Sequence, residues 1–186
     1  VLAVADHGVV HGGGRAAGDE QQAQVLHGVQ RPQAGLADLG ADEVVVVEAH
    51  QAVAAADQAG IPMTLLPVLY SVGGYRGKEP NAGQRRYILD VPDFLNIVRA
   101  MIEQAETHPT LRVGIAPHSV RQVPADPLAD ALNGILDIDA GMPIHIHAAE
   151  QLSDVDEHVA TTGARPVEWL LANAPVDARW CLVHAT

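Results

Sequence analysis

Strand-like and helix-like segments alternate along most of this chain. From Ile61 onward, short apolar runs with polar tips trade places with segments of helical period. The runs are "IPMTLLPVLY", "LRVGIAPHSVR", "MPIHIHAAE" and "RWCLVHAT". Between them, "VPDFLNIVRAMIEQAE" repeats apolar residues at Phe94, Ile97, Val98, Met101 and Ile102, with Pro92 suited to a first helical turn. "ADPLADALNGIL", "SDVDEHVATTG" and "RPVEWLLANA" read as further helices, Gly163 ending the second and Pro166 opening the third. Strand alternating with helix predicts an α/β fold with a parallel sheet. The second run predicts one strand over Leu111 to Ala116. In a (β/α) barrel the carboxyl ends of the strands form the active-site face, and the four strand units here make half of one.

Polar residues gather where such a face would be. His118, Arg121, His147, Glu150 and His184 fall at or just beyond the ends of three successive strands. Period-two alternation points His145 and His147 to one side of their strand, with Ile144 and Ile146 opposite. His147, nearer the strand end, is the candidate metal ligand, because neutral imidazole is a common zinc donor; a hydrogen-bonded core histidine is the competing reading. Glu150, three residues on, is either a carboxylate that moves the proton of an attacking water or a helix-entry glutamate. His184 is a candidate for stabilising developing charge, or a packed histidine. Arg121 carries the guanidinium fork that suits a substrate carboxylate, and is otherwise a solvated loop arginine. Cys181, inside an apolar run, is expected to pack, as are Trp169 and Trp180. "GQRRY" has no assigned role. Neither a phosphate-binding glycine motif nor a G-x-S-x-G elbow occurs.

The first 60 residues differ in kind. They use only Val, Leu, Ala, Asp, Glu, Gly, His, Gln, Arg and Pro, every one of which has a codon beginning with G or C. Folded segments ordinarily use Ser, Lys, Thr and Ile. The expectation is that residues 1–60 are an anomalous Ala/Gly/Val-rich segment read out of frame or from the opposite strand of a GC-rich gene; the alternative is a genuine segment of that composition. "EVVVVEAH" has strand formers and "QAVAAADQA" helix formers. His7, His11, His27 and His50 are accordingly given no functional weight. The chain begins with Val1 and stops just after a strand-like run, so both ends read as cut.

A formal charge of -12 and the lack of any basic run exclude a surface built on phosphate contacts. No apolar stretch is long enough to span a bilayer, so neither nucleic acid nor membrane is an expected partner. One cysteine rules out an internal disulfide framework and fits a cytoplasmic location.

Several stretches taken in order carry a family resemblance: "GIPMTLLPVLYS", "GQRRYI", "GIAPHSVR", "HIHAAEQ" and "GARPVEWLLANAPVDARWCLVHAT". From about Gly60 to Thr186 the chain resembles the formimidoylglutamate deiminases of the amidohydrolase superfamily. The resemblance implies that residues 61–186 are the middle strands of a partial (β/α)8, TIM-like metal-dependent hydrolase barrel. It implies one zinc ion, a small-molecule substrate, and hydrolysis of N-formimino-L-glutamate to N-formyl-L-glutamate and ammonia in histidine degradation, by an enzyme that is a homodimer when full length. On it His147 is a zinc ligand, Glu150 the proton shuttle, His184 the residue that stabilises the reacting centre, and His118 and Arg121 hold the substrate. The family's H-x-H pair after the first strand and its aspartate after the eighth have no counterpart here, so the chain is expected to be an inactive fragment without a complete zinc site. Another deaminase or chlorohydrolase-like member of the superfamily, or a non-catalytic α/β fragment, is the alternative.

Overall fold

A computed structural model describes residues 2–5 and 41–185. The alternation is realised as β1 (Leu2–Ala5), α1 (Ala41–Ala59), β2 (Met63–Leu69), α2 (Val91–Ala105), β3 (Leu111–Val113), β4 (Ala116–Pro117), α3 (Ala125–Ile138), β5 (Ile144–His147), α4 (Leu152–Thr162), α5 (Pro166–Asn173) and β6 (Trp180–Val183). β2 pairs in parallel with both β3 and β4, and β5 with β6. Parallel bridges from Ile115 to Ile144 and from Ser119 to His147 join the two sheets. The predicted parallel α/β arrangement therefore holds from β2 to β6. β1 departs from it, pairing antiparallel on β2 from Leu2 opposite Pro67 to Ala5 opposite Thr64.

Local chemistry fixes the helix ends. Asp90 caps α2 by accepting the Asp93 N–H at 2.9 Å, and Pro92 sits in the first turn, where its missing N–H has no intrahelical partner to lose. α4 opens on a reciprocal pair in which Gln151 and Asp154 each accept the other's backbone N–H, and closes on Gly163 at φ 80°. α5 starts at Pro166, as its sequence predicted.

The main core lies between the helices and one face of the strands. Phe94 and Val98 of α2, Leu128 and Ile135 of α3 and Leu170 of α5 pack with Ile144 and Ile146 of β5. Each such side chain, removed from water, contributes roughly 1.5–3 kcal/mol. Ala49 and Val53 of α1 join a second cluster with Met63, Leu65, Ile97 and Met101.

Two expectations need correction. The strand over Leu111 to Ala116 is two short pieces, broken at Gly114 and Ile115. A Cβ on Gly114 would stand 2.6 Å from the Pro143 carbonyl oxygen, so the backbone there passes against the entry to β5 before returning to β2. "EVVVVEAH", rich in strand formers, lies wholly within α1, where the alanines that follow favour helix. Residues 6–40, with His7, His11 and His27, and Thr186 lie outside the described residues.

Candidate active site

Parallel strands deliver their last residues to one side, and here they deliver rings. Tyr70 follows β2, His118 follows β4, His147 ends β5 and His184 follows β6. The ring centroids lie 4.9 Å apart for Tyr70 and His118, 5.2 Å for His118 and His147, and 5.8 Å for His147 and His184.

Backbone and side chain together lock the middle of this row. The His118 N–H donates to the Leu69 carbonyl at 2.9 Å, and the His118 carbonyl accepts the His147 N–H at 3.1 Å. The same carbonyl is 2.9 Å from His147 Nδ1. A carbonyl only accepts, so Nδ1 carries a proton, and in the neutral ring this leaves the lone pair on Nε2, the tautomer in which an imidazole ligates a metal through that nitrogen. His118 Nδ1 donates in turn to Gln122 Oε1 at 3.1 Å. Burial first, then the neighbouring His147 and Arg121, pull the His118 pKa down to about 4 against the opposing Gln122 hydrogen bond, so the ring is neutral near pH 7.

Beside the row lies a shallow pocket, open to solvent and lined by Tyr75, His118, Arg121, His147, Glu150 and Asp154. Glu150 is exposed and precedes the Gln151 cap of α4 by one residue, outside the helix's first turn. Arg121 forms an ion pair through Nη1 with Asp154 Oδ1, while its Nε is buried without a partner. The Tyr75 hydroxyl is 2.9 Å from Nδ1 of His158, a ring only 1% exposed. Burial is the main cause that raises the Tyr75 pKa to about 12.

Of the residues predicted from sequence, His118, Arg121, His147 and Glu150 thus share one pocket. His184 stands at its side, exposed and at φ 56°, a left-handed backbone that costs a non-glycine residue roughly 1–2 kcal/mol. His145 shares the half-buried side of β5 with His147, while Ile144 and Ile146 are buried. Tyr75, Gln122, Asp154 and His158 were not singled out by sequence. The signal for His158 is its place three residues after Val155 on the buried stripe of α4. Cys181 is a correction: it is exposed, because β6 pairs only with β5 among the described strands and leaves that residue uncovered. Trp169 and Trp180 pack against the main core as expected. "GQRRY" acquires a role through Gln84, whose Nε2 donates to the Tyr70 hydroxyl at 2.8 Å and to the Gly73 carbonyl at 3.0 Å.

The tautomer of His147 fits one zinc bond. Among the described residues, however, no group of three or more histidine, cysteine or acidic side chains is placed to hold a metal ion, whereas a catalytic zinc takes three protein donors. These residues alone therefore do not make a zinc centre. No helix among them is long and apolar enough to cross a membrane.

No family model matches the chain. Over 135 residues, 71% of its length, the chain is 44% identical to the formimidoylglutamate deiminase of Pseudomonas aeruginosa, of which it spans 28%. The crystal structure of an amidohydrolase from Brucella melitensis matches 78% of the chain with a TM-score of 0.69 and 41% identity, the match covering 31% of that protein. An adenosine deaminase from Xanthomonas campestris, solved with bound zinc, shares the fold over 78% of the chain at a TM-score of 0.55 and 19% identity, 34% of that protein being covered. The aligned part of this chain is thus similar to formimidoylglutamate deiminase, the family its strand-end motifs predicted.

Proposed function

We propose that residues 61–186 are the central part of a (β/α)8 amidohydrolase barrel, and that the complete enzyme deiminates N-formimino-L-glutamate to N-formyl-L-glutamate and ammonia in histidine degradation. The observation that carries this reading is the meeting of His118, Arg121, His147 and Glu150 at one pocket, in a chain 44% identical to such a deiminase. In the reaction the oxygen of water adds to the formimino carbon, and the bond from that carbon to its terminal nitrogen breaks. Glu150, at the rim, passes both of the water's protons in turn to the terminal nitrogen, the first as the oxygen adds and the second from the resulting hydroxyl as the C–N bond breaks, so that ammonia leaves and the formyl carbonyl forms. His184 stabilises the charge that develops at the carbon's substituents, and Arg121 with His118 holds the glutamate end. Zinc, one ion, would supply an activated water. On this reading its remaining ligands are absent from this chain, so no step here is assigned to it. The chain by itself is inactive on this reading, the full-length enzyme is a cytoplasmic homodimer, and residues 1–60 are an out-of-frame or antisense reading.

A graft tests the proposal. Residues 61–186 replace the aligned segment of the Pseudomonas aeruginosa enzyme, and ammonia release from N-formimino-L-glutamate is assayed with and without zinc. The expected outcome is zinc-dependent release by the graft, a loss on the order of 10²–10⁴-fold on Glu150→Gln, and none by the present chain. A folded graft that is silent on this substrate but releases ammonia from guanine or cytosine would transfer the chain to another deaminase class.

A further inference from the structure

Arg121 reaches the pocket from the loop after β4, and Asp154 of α4 lines the same pocket beside it. Asp154 and His158, four residues apart, lie on one face of α4. That face takes hold of two pocket groups at once: Asp154 binds Arg121 Nη1, and His158 binds the Tyr75 hydroxyl. Asp154 is itself anchored, since its Oδ2 accepts the Gln151 N–H at 3.2 Å. Arg121 is therefore a fork with one arm held by a fixed carboxylate and a buried Nε–H that has no partner. A carboxylate accepts two parallel N–H bonds from such a fork, and a guanidinium that cannot rotate presents them already aligned.

We propose that Asp154 is a positioning residue for substrate, acting through Arg121: it fixes the guanidinium so that the remaining donors face an incoming carboxylate, within a frame that the Tyr75–His158 contact closes. The inference rests on Arg121 being the group that binds the substrate carboxylate. It assigns to a helix-start aspartate, whose evident task is capping, a second task that depends on its charge.

Two substitutions separate the tasks. Asp154→Asn keeps an oxygen for the Gln151 N–H and loses the charge; Asp154→Glu keeps the charge. The ¹⁵N-labelled full chain is observed at the Arg121 Nε–H, assigned by its disappearance in Arg121→Lys, and N-formyl-L-glutamate is titrated into each variant after its thermal unfolding midpoint is shown to match the parent. The expected result is a solvent-protected signal in the parent and in Asp154→Glu, with exchange about tenfold faster in Asp154→Asn, the scale of one lost charge-assisted hydrogen bond. The dissociation constant for N-formyl-L-glutamate rises by a similar factor in Asp154→Asn only. Exchange in Asp154→Asn within twofold of the parent, or equal losses in both variants, overturns the proposal. If the parent chain does not bind N-formyl-L-glutamate although its Arg121 signal depends on the Asp154 charge, the carboxylate assignment of Arg121 falls and takes the substrate half of the inference with it.

Discussion

His147 and His184 each close a parallel strand, yet the two sites differ in almost every physical respect. β5 is flanked on both sides, by β6 along its length and by bridges to Ile115 and Ser119. Its end is consequently tied down, and the His147 ring donates to the His118 carbonyl. β6 has β5 as its sole partner among the described strands; His184 is exposed, held at φ 56°, and touches the row of rings through its stack on His147. The same motif, a histidine at a strand tip, is thus set in one tautomer where a neighbouring strand supplies a carbonyl and is merely stacked where none does. A strand end acquires defined chemistry from the strand beside it.

The contrast can be broken most forcefully in the core. Ile144 on β5 is 1% exposed, whereas Leu182 on β6 is only half-buried. Ile144→Ala is expected to lower unfolding free energy by about 3 kcal/mol and Leu182→Ala by about 1 kcal/mol, read from urea denaturation. Equal losses would mean that β6 is as enclosed as β5.

Titration sharpens it next. Burial lowers the His158 pKa, so the folded state binds that proton less readily than the unfolded chain. The stability this confers is present above the ordinary histidine range near 6.5 and is lost as pH falls below it. Tyr75 has the opposite sign. Its folded pKa is about 12 against 10.0, so its contribution is intact below pH 10 and fades as pH climbs toward 12. Urea midpoints should therefore drop between pH 7 and 5 and again above pH 10, with His158→Phe removing part of the acid drop. A profile unchanged in that variant would show that α4 does not seal its histidine against the pocket loop.

The smallest effect lies at the edge itself. Cys181→Ser should change stability by less than about 0.5 kcal/mol, and the native thiol should react with an aromatic disulfide reagent nearly as fast as in the unfolded chain. Protection of that thiol would place cover over β6.

How much of this was legible in the sequence follows from range. Helices α2 to α5 and strands β2, β5 and β6 announce themselves through local period and through Asp90, Pro92, Gly163 and Pro166, whose effects act within one turn. The break at Gly114 was hidden because it depends on Pro143, which sequence does not place beside it. Cys181 misled for the complementary reason: an apolar run shows that a strand forms, not whether a neighbour covers each side. In the pocket, His118, Arg121, His147 and Glu150 were readable from their positions after strands. Asp154 was not singled out, because its place in the pocket depends on Arg121, 33 residues away in the chain.

The most direct measurement is the tautomer of the strand-end histidines, from long-range ¹H–¹⁵N correlation spectra of the labelled chain at pH 7.5. His147 should appear as a single tautomer protonated at Nδ1, while His184 should average between its two tautomers. A His147 protonated at Nε2, or two histidines that behave alike, would contradict the claim that β4 prepares the end of β5 for chemistry and leaves the end of β6 free.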